Sequence, residues 1–326
     1  MRDFALLVVG LLAVVGGAVA QELEAQEPHP GSEAFIADAV AEYDLDPANV
    51  RAVLEEARYQ QSIIDAITRP AEAKPWFEYR QIFMTEARIA GGAEFWRANE
   101  ALIDDVSVSL SVPPEIIMAI VGVETNYGTI TGSFRVIDAL ATLGFYYPRR
   151  AEFFARELAQ FIRLSDEENL PVTEVLGSYA GAMGLGQFIP SSYRAYAVDF
   201  DESGYRDLWR SLPDALGSVA NYLAVHGWEL GAPIVLPATE VPEDLEEEFS
   251  TRLRHTLGEL QSLGIEFDGA GLPAETPATL IELEQADGME YWVGLNNFYV
   301  ITRYNRSPLY AMAVTQLSEA IAARAP

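Results

Sequence analysis

The sequence predicts a mainly α-helical protein with a small β-hairpin insertion, on three observations. From Ser32 onward, apolar residues recur every three or four positions through most of the chain, as helices with one buried face require. Asp46-Pro47, Pro113-Pro114, Pro213-Asp214 and Ser307-Pro308 punctuate that pattern. Proline is tolerated in a first helical turn, where its missing N–H has no partner to lose. Alternation with period two is confined to Thr279–Glu284 and Tyr291–Val293, on either side of the turn signal Asp287-Gly288.

Taken in order, the chain begins with Arg2 and then an apolar run from Phe4 to Val19. Small residues close that run as Ala18-Val19-Ala20, which reads as a secretory signal cut after Ala20. The run is short for a membrane span of ~20 residues. Residues 21–31 are polar and contain proline, and read as a disordered lead. Ser32 is expected to cap a first helix carrying Phe35, Ile36, Val40 and Tyr43. A second helix follows Asp46-Pro47, a third covers Gln60–Ile67, and a fourth Gly91–Ile103. Pro113-Pro114 opens a helix whose run Ile116–Val121 is apolar all round, which marks it as buried; it ends near Gly128. Further helices are expected at 134–143, 149–163, 191–196 and 213–226, an acidic one at 242–263, and a last one at Pro308–Ala323.

Composition excludes several functions. Among the 326 residues there is no cysteine, which removes disulfides, thiolate nucleophiles, Cys-based zinc and iron–sulfur sites. The three histidines, His29, His226 and His255, form no HExxH-type pair. A net charge of −28 opposes nucleic-acid binding, which needs cations to displace counterions from phosphates. The acidic surplus reads as solvated surface suited to a salty medium.

Four stretches carry candidate chemistry. Glu124 ends the apolar helix beside a glycine-flanked turn. There it is either a general acid in a desolvated site, an exposed last-turn residue or an arginine partner. From Gly177 the chain reads GSYAGAMGLGQFIPSSY, small residues interleaved with Tyr179, Phe188 and Tyr193. That suits a sugar site, where aromatic faces stack on pyranose rings, and equally a tightly packed turn. Asp199, Asp201, Ser203, Gly204 and the Tyr205 carbonyl occupy positions 1, 3, 5, 6 and 7 of an EF-hand-like loop. Arg210 stands at position 12, so Asp214, at the start of the next helix, is the natural substitute ligand. The alternative is a solvated acidic loop; an oxygen-only set suits calcium. Tyr304 and Asn305, just before Ser307-Pro308, are less core-like than the aromatics around them, although Asn305 can simply cap or turn.

Together with Pro113–Ile117, Gly122-Val123-Glu124-Thr125, Ser218–Tyr222, Pro75–Arg80 and ITRYNRSPLYAMAV from Ile301, these motifs resemble the lytic murein transglycosylase B family. The resemblance runs over roughly residues 35–323. It implies a lysozyme-like catalytic core, an α-rich flanking domain and a small β domain. It implies cleavage of the β-1,4 bond between N-acetylmuramic acid and N-acetylglucosamine in peptidoglycan, with a 1,6-anhydro end formed in place of hydrolysis. By motif, Glu124 is the acid/base. Ser178, Gln187, Tyr304 and Asn305 are polar groove residues, and Tyr79 and Tyr310 are groove aromatics. Asp199, Asp201, Ser203, Tyr205 and Asp214 hold a structural calcium ion, with no organic cofactor. Many members are lipoproteins; with no cysteine to acylate, a soluble periplasmic monomer without a membrane anchor is implied, acting on peptidoglycan glycan strands. The expected organisation is a signal peptide (1–20), the lead (21–31), an α-rich flanking region (32–112), a catalytic core with the EF-hand-like loop (113–230), a helix and small β subdomain (231–296) and a C-terminal segment returning to the core (297–326).

Overall fold

A computed structural model gives the architecture and describes residues 27–69, 73–245 and 250–324. The expected signal peptide lies outside these residues. The chain runs α1 (Ser32–Tyr43), α2 (Pro47–Glu56), α3 (Gln61–Ile67), α4 (Trp76–Phe83), α5 (Glu86–Ala98), α6 (Glu100–Leu110) and α7 (Pro114–Thr125). Then come β1 (Phe134–Arg135), α8 (Val136–Tyr146), α9 (Ala151–Glu167), β2 (Leu176–Gly177), α10 (Pro190–Tyr196) and α11 (Leu212–Val225). A β region follows: β3 (Val235–Glu240), β4 (His255–Thr256), α12 (Leu257–Ser262), β5 (Glu266–Phe267), β6 (Pro277–Gln285) and β7 (Gly288–Gly294). The chain closes with α13 (Asn296–Tyr304) and α14 (Pro308–Ala322).

The buried apolar residues fall into two clusters. The larger runs from Phe35 to Ile321 and joins the amino-terminal helices, the central helices and the last two. Its axis is α7, where Ile117, Met118 and Ile120 are fully buried; each such side chain contributes about 1.5–3 kcal/mol. α14 packs along α7 and also touches α4 and α5, so residues from both ends of the chain share one core. The smaller cluster, with Leu236, Leu257, Leu260, Ile265, Leu280 and Val293, lies within the β region.

That region is a sheet of order β4-β6-β7-β3-β5, its neighbours antiparallel. The β6–β7 pair is the expected hairpin, turning at Ala286-Asp287 just before Gly288, which opens β7 at φ 118. The expected acidic helix at 242–263 is not what forms. Its described residues contain β4 and only the short α12. Thr256 starts α12 with a capping box: its Oγ1 accepts from Glu259 N (3.2 Å), and Glu259 Oε2 accepts from Thr256 N (2.8 Å).

Other elements also depart from expectation, α4 and α13 among them, since neither was predicted as a helix. The fourth helix is two, α5 and α6, because Asn99 turns its amide back onto the Phe95 carbonyl (2.8 Å) and leaves helical geometry. Ser32 is the first residue of α1, and Gly31, at φ 76, takes the capping position. The lead 21–31 is not disordered in its described part. His29 is 3% exposed, stacks on Phe145 (5.1 Å) and bonds Tyr146 through Nδ1 (3.0 Å). Burial holds the His29 imidazole below its ordinary range, so it packs as a neutral ring.

A buried carboxylate ties the amino-terminal helices to the centre. Asp138, 2% exposed on α8, accepts from Arg58 N (2.8 Å), Gln60 Nε2 (2.7 Å) and two nitrogens of Arg135 (2.9 and 2.7 Å). Removing it strands several donors. Asp138→Ala is expected to lower the urea-unfolding free energy by about 3 kcal/mol, and a loss below about 0.5 kcal/mol would show that the junction does not depend on it.

Candidate active site

Glu124 sits in the last turn of α7, half-buried. The helix stops because Asn126 and Tyr127 adopt left-handed backbone (φ 49 and 58), which turns the chain away and leaves the carboxylate at the helix end. Thr125 Oγ1 donates to the Leu185 carbonyl (3.0 Å), fastening this end to the glycine-rich segment. Tyr310, from the first turn of α14, donates its hydroxyl to Glu124 Oε1 (2.6 Å). Ser307 caps that turn by accepting from Tyr310 N (3.4 Å).

A groove of about 1050 Å³ opens at Glu124, with Ser178, Tyr179, Gln187, Tyr222, Tyr304 and Asn305 among its walls. Among the described residues, Glu124 is the one carboxylate lining it. The Ser178 hydroxyl oxygen accepts from Ala180 N (3.3 Å) and Ala182 N (3.1 Å), so its proton is the capacity it has left. Gln187, at φ 50, spends both amide protons on the carbonyls of Thr131 (3.2 Å) and Gly184 (3.0 Å), leaving Oε1 as acceptor. Asn305 Oδ1 accepts from Ser307 N (3.1 Å). Tyr304 donates to the Gly186 carbonyl (2.5 Å). Gly186 must be glycine here: a Cβ would meet the Tyr304 hydroxyl at 2.9 Å and Val219 at 2.9 Å.

Burial, with the charge of Glu124 added, holds the hydroxyls of Tyr304 and Tyr310 well above the ordinary tyrosine range. Both therefore stay protonated and remain donors. Glu157, on α9, braces the groove from behind: its carboxylate accepts from Ser191 N (2.9 Å) and Ser191 Oγ (2.7 Å) at the start of α10. Burial pushes the Glu157 carboxyl up, and the Ser191 bonds oppose that rise.

Away from the groove, carboxylate oxygens of Asp199, Asp201 and Asp214 lie within 4.8 Å of one another. Ser203 Oγ is 3.4 Å from Asp199 Oδ1 and 3.1 Å from the Tyr205 carbonyl. Asp214, fully buried, also accepts from the backbone N–H groups of Phe200 (2.8 Å), Asp201 (3.3 Å) and Asp207 (2.8 Å). This oxygen-only donor set fits a hard cation such as calcium.

The family model of the transglycosylase SLT domain matches residues 28–319. The chain is 39% identical over 310 residues to membrane-bound lytic murein transglycosylase B of Escherichia coli, covering 90% of this chain and 83% of that protein. Soluble lytic transglycosylase SltB1 of Pseudomonas aeruginosa superposes with a TM-score of 0.82 at 45% identity, over 90% of this chain and 99% of that one. The calcium complex of Escherichia coli Slt35 superposes with a TM-score of 0.79 at 38% identity, over 90% and 93%. The chain belongs to the lytic murein transglycosylase B family. It is a peptidoglycan lytic transglycosylase with a lysozyme-like fold.

In this transglycosylase the fold brings Glu124, Ser178, Gln187, Tyr304 and Asn305 to one groove. Tyr79 and Tyr310, which the resemblance gave as groove aromatics, are not among the residues lining this groove, and Tyr310 reaches it through its bond to Glu124. Each is 2% exposed, because α4 and α14 pack against each other and enclose them. Tyr310 thus supports the acid from beneath. Sequence reasoning missed Glu157, Tyr222 and His226. Only the Ser218–Tyr222 motif pointed near the last two, and nothing local distinguished Glu157 from a surface glutamate. Tyr310→Phe should keep the fold and lower kcat/KM by about 10- to 100-fold, the worth of one hydrogen bond to a charged group. An unchanged kcat/KM would remove Tyr310 from the site.

Proposed function

We propose that this transglycosylase cleaves between N-acetylmuramic acid and N-acetylglucosamine with Glu124 as its single acid/base, and closes a 1,6-anhydro ring on the muramic acid. The observation that carries this reading is the groove with one carboxylate. Glycosidases that use water generally place two carboxyl groups across the scissile bond. Here the substrate supplies the second function. Glu124 protonates the glycosidic oxygen as the C1–O bond breaks. The muramic 2-acetamido oxygen stabilises the anomeric carbon in the meantime. Glu124, now a carboxylate, takes the proton from the sugar's 6-hydroxyl as O6 bonds to C1. One bond breaks, one forms, no water is consumed and Glu124 ends protonated.

The wall residues suit that sequence. The remaining proton of Ser178 and the amide of Asn305 orient the acetamido group, a preorganised polar role. Gln187 Oε1 accepts from a sugar hydroxyl or N–H, and Tyr304 faces a pyranose ring. Digestion of purified peptidoglycan is expected to yield muramic ends one water lighter than hydrolysis products. Reducing muramic ends would replace the reading with a hydrolase. Glu124→Gln should remain folded and clear no zone on a wall zymogram.

We further infer that the protein works in the periplasm as a soluble monomer after removal of residues 1–20. We infer too that Asp199, Asp201, Ser203, the Tyr205 carbonyl and Asp214 hold calcium. The converging oxygens and the calcium bound by the Escherichia coli relative support the latter. The ion would supply charge neutralisation and brace the loop between α10 and α11; it lies outside the chemistry. Saturating calcium should raise the melting midpoint by about 3–5 °C over EDTA-treated protein. Asp201→Ala should abolish that rise, and a midpoint indifferent to calcium would refute the site.

A further inference from the structure

The groove continues past Glu124 along an aromatic floor. Tyr304 packs against Tyr222 (4.8 Å), and His226 stacks on the other side of Tyr222 (4.1 Å, 24° between planes). Tyr222 is fixed by donating to the Arg303 carbonyl (2.5 Å), and the His226 ring by its Nδ1 on the Tyr222 carbonyl (2.7 Å). Above this floor stand two exposed guanidinium groups, Arg303 and Arg306, both lining the groove. They flank Tyr222 closely enough to oppose the rise that burial gives its hydroxyl.

A third arginine of the groove, Arg150, lies over the rings of Phe153 (4.2 Å) and Phe154 (5.0 Å). Elsewhere Arg51, Arg156, Arg163, Arg194 and Arg324 each hold a glutamate. Among the described residues, neither Arg303 nor Arg306 has a carboxylate partner. Two guanidinium groups kept unpaired beside a sugar-stacking floor are matched to a planar acid arriving with the sugar, since the guanidinium fork binds carboxylates two-pronged.

We propose that Arg303 and Arg306 form a carboxylate-binding rim, which recognises acidic substituents of the glycan strand while Tyr222, Tyr304 and His226 floor the sugar path. The inference rests on the reading of this groove as the glycan site. It answers how a chain of charge −28 holds an anionic polymer: the repulsion is general and screened by salt, and the attraction is local. The carboxylates available on such strands are the lactyl group of muramic acid, free where no peptide is attached, and the acids of an attached peptide.

The test measures binding of soluble glycan strands to Glu124→Gln protein, which does not consume them, with and without Arg303→Gln and Arg306→Gln. Three strands are compared: peptide-bearing, peptide-free with free lactyl acids, and peptide-free with those acids amidated. The double substitution is expected to weaken binding of an acid-bearing strand about tenfold. The amidated strand should change by less than about twofold. Whichever of the first two strands shows the tenfold loss identifies the carboxylate that is read. An equal loss on acidic and amidated strands, or no loss at all, overturns the rim. If Glu124→Gln protein with both arginines intact binds none of the strands, the groove reading itself fails, and the rim with it. Unchanged melting of the double variant separates these outcomes from misfolding.

Discussion

The hydrogen bond from Tyr310 to Glu124 is the contact on which the site depends. It joins groups 186 residues apart and needs both to sit at helix ends that face each other. Every large feature of the main core serves that meeting. α7 is apolar all round and so can run through the centre, delivering Glu124 at its end. α14 lies along α7 and delivers Tyr310 from its first turn. The tyrosine is buried, its hydroxyl stays protonated, and the carboxylate is held in one orientation against the groove. A catalytic acid that must both give and take a proton gains from such a fixed position.

The glycine-rich segment illustrates a second constraint, the close approach of backbone to side chain. Gly186 leaves space for the Tyr304 hydroxyl, and Gln187 then turns left-handed so that its amide anchors the loop from within. Ser178 does the same at the other end, through two backbone N–H bonds. The loop is thus fastened by the same side chains that face the groove. The Asp214 carboxylate has a similar double character: it organises three backbone N–H groups of the acidic loop and points into the cluster of oxygens.

Much of this was legible from residue order because the relevant signals are local. The Pro113-Pro114 start and the unbroken apolar run mark α7, and the EF-hand-like spacing marks the acidic loop. Period-two alternation marks the hairpin β6–β7. What was not legible depends on contacts distant in sequence. β4 and β5 are two residues each, too short to show any period, and exist because β6 and β3 receive them. The acidic stretch after Pro242 has the composition of a helix, yet strand pairing and the capping box at Thr256 decide its described part. Glu157 looks like any glutamate on an amphipathic helix until α10 lies across it. Tyr79 and Tyr310 carry no mark in the sequence that tells a groove wall from a buried support.

The placement of Tyr310 near the carboxyl end has a consequence in time. Synthesis proceeds from the amino end, so Glu124 exists for the interval needed to add 186 residues, its partner the last of them. At ordinary rates of synthesis that interval is roughly 10–40 s. A nascent or prematurely ended chain that stops before Pro308 contains the acid but not the hydroxyl that holds it, nor the helix that closes the core around α7. The site is therefore complete only once the last helix of the chain has joined the core.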